Sequence, residues 1–438
     1  MSDAIKVGSV PISRRDSFNA RDSHTRHLKP FDSGDIKVLL LENISAKAVE
    51  ILKKAGYQVD FHTKALDKAT LIEKIKDVHA VGIRSKTRLT EEVLSHASKL
   101  LTIGCFCIGT NQVDLGYAAS RGICVFNSPF SNSRSVAELV IAEIILLARQ
   151  LGDRSREMHS GVWNKVSKNC YEIRGKTLGI VGYGHIGTQL GVLAESLGMH
   201  VIWYDILPVM PIGTSTAADS LDEVLRSADF VSLHVPETPE TKNMIGAQEL
   251  ALMKQGSYLI NASRGTVVDI DALATVLKSG HLAGAAIDVY PTEPLANGPG
   301  FESPLRNCPN TLLTPHIGGS TEEAQRMIGV EVATAITKFV NSGTSINAVN
   351  FAECDLRAIP STDLTTVRIV NVHQNVPGVL RQINNILANY NVNKQISDSK
   401  GDVAYFMADV TVDEPKDIST IYEQVQGIQE NIITRVLF

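Results

Sequence analysis

The chain has 438 residues, of which 44% are apolar and 20% charged, and its formal net charge is −5. This length is sufficient for two or three globular domains. The slightly negative charge argues against nucleic acid or an anionic membrane as the main partner, whereas a small anionic substrate needs only a local basic cluster.

The apolar segments and the cysteines narrow the class of protein further. No run reaches the roughly 18 apolar residues that a membrane span needs, and the N-terminus lacks the apolar core of a secretory signal. Six cysteines in a chain of this size do not form a disulfide framework. Cys105 and Cys107 lie in an apolar strand-like run without a second pair, so we expect buried side chains and no metal site. We therefore expect a reducing, cytoplasmic location and no membrane partner.

The N-terminal half begins with a polar segment and continues as alternating strands and helices. Residues 1–30 are rich in Ser, Arg and Asp, which is typical of a disordered tail. From residue 36 onward, apolar strand-like segments alternate with helix-like ones, the first pair at 36–42 and 45–56. This alternation predicts a parallel sheet covered on both faces. A single long helix is predicted over 135–161, because no Pro interrupts it before its end.

The alternation restarts at KTLGIVGYG (176–184) and ends at TLLTPHIG (311–318), and a long helix is predicted over 320–343. Residues 346–366 lack periodicity and read as a linker. Residues 367–438 have the order β-α-β-β-α-β, which is typical of a ferredoxin-like sandwich. The pattern favours two doubly wound α/β units, one inserted in the other, followed by a small third unit.

A dinucleotide motif opens the second alternation. Gly182, Gly184 and Gly187 have the spacing G-x-G-x-x-G between an apolar strand and a helix, which is the context this motif requires. The glycines allow a tight turn and bring the helix N-terminus close to a pyrophosphate. The next strand ends at Asp205, whose carboxylate suits the ribose hydroxyls and would repel the 2′-phosphate of NADP. We therefore expect NAD as the cofactor.

Polar side chains follow the later strands of the same unit, where open α/β sheets bind ligands. Arg264 follows one strand, Asp288 and Glu293 follow the next, and His316 follows the last. Oxidation of a 2-hydroxy acid needs a base for the hydroxyl proton and a cation for the carboxylate. His316 suits the base, Glu293 can bind its second ring nitrogen, and the planar guanidinium of Arg264 suits a carboxylate.

These motifs together resemble the D-2-hydroxyacid dehydrogenase family: GYGHIG (182–187), HVPET (234–238), NASRG (261–265), DVYPTEP (288–294) and TPHIGGST (314–321). The resemblance implies that Arg264, Glu293 and His316 are the catalytic residues. It implies a larger set of residues around NAD, namely Gly182, Gly184, His185, Ile186, Gly187, Asp205, Ala262, Ser263, Arg264, Asp288, His316, Ile317, Gly318 and Gly319.

The same resemblance implies the domain organisation. A Rossmann-like NAD domain (132–318) is expected within a flavodoxin-like substrate domain formed by 31–131 and 319–345. A linker at 346–366 and a regulatory domain at 367–438 are expected to follow.

Several cations in or near the substrate domain point to a charged substrate. Arg84, Ser85 and Lys86 follow a strand, Arg134 begins the long helix, and Lys165 follows it. Cations of this kind suit a phosphate at the far end of the substrate, although Lys and Arg are by default solvated surface residues. The surrounding sequence resembles the 3-phosphoglycerate dehydrogenases of serine biosynthesis. This implies that Arg84 and Lys86 bind phosphate, and that Lys165 reaches a neighbouring subunit.

The resemblance predicts oxidation of D-3-phosphoglycerate to 3-phosphohydroxypyruvate, and two other functions stay open. One is another D-2-hydroxyacid dehydrogenase, such as a glyoxylate/hydroxypyruvate reductase, with reduction of 2-ketoglutarate as a possible side activity. The other is an NADH-sensing transcriptional corepressor on the same fold, because fold alone does not decide function.

The C-terminal unit resembles the ACT domain, a small-molecule sensor. Its motif H-x-N-x-P-G is met by His373, Asn375, Pro377 and Gly378, and a second element is met by Val392-Asn393. The resemblance implies that His373 and Asn375 of one subunit and Asn393 of another bind L-serine as an inhibitor, and we expect a homotetramer. The alternative is that His373 and Asn375 only cap the following helix.

Overall fold

A computed structural model describes residues 33–294, 297–360, 363 and 365–437. The predicted tail at 1–30 lies outside the described residues. The chain forms two compact units: one contains the described residues up to Pro129 and those from Arg326 onward, and the other is Phe130–Gln325. No helix in the described part of the chain is long and apolar enough to cross a membrane.

The first unit contains a five-stranded parallel sheet of order β2-β1-β3-β4-β5. Its strands are β1 (Lys37–Leu40), β2 (Gln58–Phe61), β3 (Ala80–Ile83), β4 (Thr102–Cys105) and β5 (Cys124–Phe126). The helices between them are α1 (Ala46–Lys54), α2 (Lys68–Ile75), α3 (Glu91–Leu94) and α4 (Leu115–Ser120). The order 2-1-3-4-5 is that of flavodoxin, so the flavodoxin-like prediction is confirmed. The short β5 was not predicted.

The second unit contains a seven-stranded parallel sheet of order β12-β11-β10-β9-β6-β7-β8. Its strands are β6 (Thr177–Val181), β7 (His200–Tyr204), β8 (Thr216–Ala217), β9 (Phe230–Leu233), β10 (Tyr258–Asn261), β11 (Gly284–Ile287) and β12 (Thr311–Leu313). The helices are α5 (Ser133–Ala148), α6 (Leu151–His159), α7 (His185–Ser196), α8 (Leu221–Ser227), α9 (Ala247–Leu252) and α10 (Ile270–Ser279). The order reverses beside β6, as in the Rossmann fold, which confirms that prediction.

The single helix predicted over 135–161 was wrong, because it is divided into α5 and α6. Gln150 has φ 51° and ψ 34°, a left-handed conformation that ends α5 and begins α6. Its side-chain Nε2 donates to the carbonyl of Asn169 at 3.1 Å. The sequence does carry one signal of the break, Gly152, which lies two residues beyond Gln150 and which the prediction overlooked.

Helix α11 (Glu322–Ser342) matches the prediction over 320–343 and precedes the C-terminal sheet. That sheet is antiparallel, of order β14-β15-β13-β16. Its strands are β13 (Thr366–Gln374), β14 (Asn391–Lys400), β15 (Val403–Thr411) and β16 (Asn431–Leu437), with α12 (Val379–Leu387) and α13 (Pro415–Gln426) between them. The predicted β-α-β-β-α-β order is confirmed.

The two central strands of this sheet are buried on both faces. One face packs on α12 and α13 through a cluster that includes Ile369, Ile383 and Phe406. The other face shares a core with α11 and the first sheet, through Val370 and Tyr405. The central strands of the C-terminal sheet therefore pack against α11. The residues of the edge strand β14, by contrast, are almost all exposed.

Part of the predicted linker is buried and hydrogen-bonded. The side chain of Asn350 accepts from Val125 N–H and donates to Ile123 C=O, each at 2.8 Å, which satisfies the open edge at β5. Ser345 donates from its hydroxyl to Ala352 C=O at 2.7 Å. The segment thus covers an edge strand that would otherwise expose unpaired backbone groups.

Candidate active site

The three motif glycines have different physical roles. Gly182 has φ 91°, and a Cβ there would lie 2.5 Å from His234 C=O. A Cβ on Gly187 would collide with Gly182 C=O, whereas one on Gly184 would meet no atom within 4 Å. Gly182 and Gly187 are thus required by packing, and Gly184 leaves open space at the N-terminus of α7. A pyrophosphate fits this space, where backbone N–H groups are free to bind it.

Asp205 is held at the end of β7 by backbone donors. One of its oxygens accepts from Tyr183 N–H at 2.7 Å, and the other accepts from Leu207 N–H at 2.9 Å. Tyr183 belongs to the glycine turn, so the carboxylate and the turn are fixed relative to each other. This arrangement fits an adenosine ribose beside the pyrophosphate turn, as NAD requires.

His185, which begins α7, is stacked on Phe130, with ring centroids 3.7 Å apart. Its neighbour Ile186 is half-buried. Both residues were predicted to line the NAD site, and they remain predictions in that role.

The predicted base and its carboxylate partner are in direct contact. His316 Nδ1 donates to Glu293, with the two carboxylate oxygens at 2.9 and 3.1 Å. One of these oxygens also accepts from Tyr290 N–H at 3.2 Å, which fixes the carboxylate. Because Nδ1 carries the proton, Nε2 of the neutral ring is the free acceptor that a general base needs. The histidine side chain is half exposed.

Asp288 organises the loop that carries His316. Its carboxylate accepts from Ile317 N–H and Gly318 N–H, each at 2.8 Å, and from Thr314 Oγ1 at 2.6 Å. His316 itself has φ 53°, a left-handed conformation that is uncommon for histidine. A strained backbone conformation of this kind persists only where surrounding residues hold it in place. The Asp288 carboxylate supplies that support from both sides of His316, and it is 1% exposed.

Arg264 lies on a turn that approaches the Glu293 segment closely. Asn261 Nδ2 donates to Arg264 C=O at 3.0 Å, and Asn261 Oδ1 accepts from Ser263 N–H at 3.0 Å. A Cβ on Gly265 would overlap the backbone of Tyr290. Glycine is therefore needed for this approach, and it places the turn of Arg264 beside the segment of Glu293.

The predicted substrate cations are divided between the two compact units. Arg84, Ser85 and Lys86 follow β3 in the first unit, with Arg84 half-buried and the other two exposed. Arg134 and Lys165 lie in the second unit, and both are exposed. Arg134 pairs with Glu138 at 2.6 Å across one turn of α5. A surface pair of this kind stabilises little and does not prevent binding of a phosphate.

Comparison with known proteins agrees with this geometry. Residues 141–318 match the family described as D-isomer specific 2-hydroxyacid dehydrogenase, NAD binding domain. D-3-phosphoglycerate dehydrogenase 1 of Saccharomyces cerevisiae is 59% identical over 95% of this chain and 90% of that protein. D-3-phosphoglycerate dehydrogenase of Escherichia coli K12 is 54% identical over 86% of this chain and 92% of that protein.

The chain belongs to the D-3-phosphoglycerate dehydrogenase family. It is thus an NAD-dependent oxidoreductase. Among solved structures, the TT0316 protein from Thermus thermophilus is similar, with 32% identity and a TM-score of 0.65. That likeness covers 72% of this chain and all of the other.

The ACT-like C-terminal unit of this chain contains a cavity of about 310 Å³ at the corner after β13. His373 and Asn375 line it, together with Ser397, Asp398 and Ser399 of β14. His373 is buried, which lowers its pKa, and its Nδ1 lies 2.8 Å from Asn371 Oδ1. Because Asn371 Oδ1 can only accept, Nδ1 carries the proton of the neutral ring, and Nε2 is left as an acceptor for a small polar ligand.

The helix-capping alternative for Asn375 was wrong. The residue at the cap of α12 is Gly378, with φ 100°, and no side chain caps it. Asn375 Nδ2 instead donates to Gly401 C=O at 3.0 Å.

Within one chain, Asn393 lies far from this cavity. Its side chain donates to Thr411 Oγ1 at 2.9 Å, at the end of the sheet where Thr366 begins β13. His373 is seven positions further along that strand, about 23 Å away at strand spacing. The predicted effector residues can therefore meet only if a second copy supplies Asn393.

Some polar residues of the substrate domain and of α5 were not predicted from the sequence. Glu42 and Gln112 bind the backbone of the loop at Arg84–Thr87. Glu143 is buried in α5 near Asp288. A charged residue directly after an apolar strand, or on the apolar face of a helix, is the signal that could have revealed Glu42 and Glu143.

Proposed function

We propose that the protein oxidises D-3-phosphoglycerate to 3-phosphohydroxypyruvate with NAD, as the first step of L-serine biosynthesis. The observation that carries this proposal is the His316–Glu293 pair beside the Arg264 turn, in a chain that belongs to the D-3-phosphoglycerate dehydrogenase family. The residues 31–131 with 319–345 are proposed as the substrate domain, 132–318 as the NAD domain, 346–366 as the linker and 367–438 as the regulatory domain.

In the proposed reaction, Arg264 binds the substrate carboxylate and polarises the C2 oxygen. His316 Nε2 accepts the hydroxyl proton as the C2 hydrogen leaves as hydride, and Glu293 stabilises the resulting imidazolium. Bound NAD supplies the nicotinamide carbon that accepts this hydride. Gly184, Asp205 and the N-terminus of α7 would hold the cofactor, with Ala262, Ser263 and Ile317–Gly319 around its nicotinamide end.

We assign the phosphate end of the substrate to Arg84, Ser85, Lys86 and Arg134, with Lys165 reaching a neighbouring subunit. Both guanidinium and ammonium groups bind phosphate strongly, and Lys86 acts as a point charge. The rival reductases of glyoxylate or hydroxypyruvate need the same catalytic residues but no cations for a phosphate. 2-Ketoglutarate reduction is proposed as a side activity.

The test is a substrate panel in which NADH formation or consumption is followed. We expect turnover of D-3-phosphoglycerate with NAD, and Arg84→Ala with Lys86→Ala should raise KM for phosphorylated substrates by about 10² while KM for hydroxypyruvate changes less than about three-fold. Arg88→Ala, an exposed arginine nearby, is the matched control. Equal effects on both substrates would contradict the phosphate assignment, and no turnover of any hydroxy acid would favour the corepressor alternative.

We further propose that L-serine inhibits the enzyme by binding between paired ACT domains of a homotetramer. The cavity beside His373 and Asn375 and the distance to Asn393 within one chain support this proposal. The exposed edge strand β14 offers unpaired backbone groups to a second copy. The cysteines among the described residues are free thiols, which fits the cytoplasmic location that we propose.

A further inference from the structure

The backbone of the loop at Arg84–Thr87 is hydrogen-bonded to one buried carboxylate. Glu42, at the end of β1, accepts from Thr87 N–H at 2.7 Å, from Lys86 N–H at 2.9 Å and from Arg84 N–H at 3.3 Å. Its residue is 7% exposed. A carboxylate with several backbone donors is well stabilised without a cation beside it. Three backbone N–H groups of the loop thus stabilise the Glu42 carboxylate.

A second buried side chain fixes the same loop from the other direction. Gln112 is 5% exposed, and its Nε2 donates to Arg84 C=O at 2.8 Å and to Gly109 C=O at 3.1 Å. Both backbone polar groups of Arg84 are therefore bound by buried side chains, Glu42 at the N–H and Gln112 at the C=O. The segment after β4 and the segment after β1 hold the loop after β3 between them.

The position of Glu42 is itself strained. Glu42 has φ 66° and the next residue, Asn43, has φ 52°. Left-handed conformations are unfavourable for residues other than glycine and persist only where the surroundings hold them. Leu41 N–H donates to Gly82 C=O at 2.9 Å, and Asn43 N–H donates to His62 C=O at 3.3 Å. These hydrogen bonds hold the strained turn, and the turn directs the Glu42 carboxylate toward the backbone of the loop at Arg84–Thr87.

The side chains of the loop are left available for a ligand. Glu42 occupies the backbone N–H groups of Arg84, Lys86 and Thr87, which leaves the side chains of the loop and the N–H of Ser85 to bind a phosphate. Neither Arg84 nor Lys86 forms an ion pair with another described residue, and Lys86 is exposed. Arg84 and Lys86 thus belong to a loop whose backbone conformation is fixed by three hydrogen bonds to Glu42.

We propose that Glu42 is a positioning residue for substrate: it fixes the backbone at Arg84–Thr87 so that Arg84 and Lys86 meet the phosphate end together. Gln112 supports the same conformation. The inference rests on the proposed function, because it assigns Glu42 to the phosphate end of that substrate. A flexible loop with the same cations would bind phosphate more weakly, because the loop would have to be ordered on binding.

The test is Glu42→Gln, which keeps the size of the side chain and replaces one acceptor by a donor facing N–H groups. We expect KM for D-3-phosphoglycerate to rise about ten-fold, with kcat and the KM for NAD within about two-fold of wild type. Glu50→Gln, an exposed glutamate on α1, is the matched control and should change none of these. Unchanged KM for D-3-phosphoglycerate in a folded Glu42→Gln protein would overturn the inference.

A double-mutant cycle separates positioning from a general loss of structure. In the Arg84→Ala/Lys86→Ala background, Glu42→Gln should raise KM less than about two-fold, because the cations that it positions are gone. A further ten-fold rise there would contradict the inference. If Glu42→Gln does not fold, Gln112→Met carries the test, and an unchanged KM in that variant overturns the inference. Absence of wild-type turnover on D-3-phosphoglycerate would instead overturn the proposed function itself.

Discussion

At the scale of single residues, Glu143 is the unusual group near the catalytic loop. It is 2% exposed, and neither of its carboxyl oxygens has a hydrogen-bond partner among the described residues. Burial, and secondarily the nearby Asp288 carboxylate, raise its pKa to about 8. Glu143 is therefore mostly protonated at neutral pH, which avoids a second buried negative charge near Asp288 that no hydrogen bond would stabilise.

This protonation makes stability depend on pH. Between the ordinary glutamate pKa of 4.5 and about 8, the folded protein holds a proton that the unfolded chain releases. The free energy of unfolding should therefore fall as pH rises through this window, by up to about 1.4 kcal/mol per pH unit. In Glu143→Gln this contribution is absent. The difference in melting temperature, variant minus wild type, should therefore increase from about pH 5 to about pH 8.

Thermal unfolding by circular dichroism across this pH range measures the effect. Glu138→Gln, an exposed glutamate on the same helix, is the control and should run parallel to wild type. Parallel profiles for wild type and Glu143→Gln would show that Glu143 is ionised in the folded protein.

The positions of the proposed catalytic residues Arg264 and His316 at one edge of the sheet were predictable, because each lies three residues after a strand of the parallel sheet. The role of Glu42 was not predictable, because its partners are backbone groups more than 40 positions away. Glu143 lies at helical spacing from the buried Val140 and Leu147, so periodicity alone could have placed it in the core.

At the scale of elements, two buried arginines join the C-terminal sheet to helix α11. Arg368 makes a two-point ion pair with Asp409, at 2.6 and 2.9 Å, and donates to Ser342 C=O at 2.9 Å. Arg435 donates to Phe339 C=O at 3.2 Å and stacks over its ring, with the guanidinium carbon 4.4 Å from the centroid. Carbonyls in the last turn of α11 thus accept hydrogen bonds from the sheet, with cations at the negative end of the helix dipole.

Removal of Arg368 alone should be strongly destabilising. Arg368→Met leaves Asp409 buried, with only Lys394 nearby at 3.8 Å, and we expect a loss of about 3–5 kcal/mol. Adding Asp409→Leu should recover part of this loss, because the uncompensated charge is then gone. Denaturant unfolding measures both variants.

Arg381→Met, at an exposed position of α12, is the control for that experiment and should be close to neutral. A double variant less stable than Arg368→Met would show that the ion pair is not the main contribution.

The elements were predictable where periodicity is strong, and not where a single backbone conformation decides. The strands β1 and β6 and the helix α11 follow from apolar runs and periodicity. The break between α5 and α6 depends on one left-handed glutamine, and the packing of α11 against the C-terminal sheet depends on buried arginines that composition alone would place at the surface.

At the scale of the whole molecule, the proposed serine site requires two copies of the chain. Asn375→Ala and Asn393→Ala should each abolish serine inhibition in the homo-oligomer, with catalysis retained, because each removes one half of every site. Serine then has no differential affinity for the active and inhibited states.

Co-expression of the two variants tests the shared site directly. At an interface between an Asn375→Ala subunit and an Asn393→Ala subunit, one of the two sites keeps both asparagines. We expect serine inhibition to return in the purified hybrid at a reduced maximum, measured as inhibition of NADH formation. Mixtures of separately assembled homo-oligomers are the control and should stay insensitive. A hybrid that is as insensitive as its parents would contradict a site built from two subunits.

The burial of β13 and β15 on both faces has a consequence for how such an enzyme diverges. Gly343 has φ 76°, and a Cβ there would lie 2.6 Å from Val370, while Tyr405 Oη donates to its carbonyl at 2.5 Å. The C-terminal sheet is thus packed tightly against the end of α11 rather than attached by a flexible linker. Exchange of the C-terminal unit between relatives by recombination would succeed only if the last turn of α11 were exchanged with it.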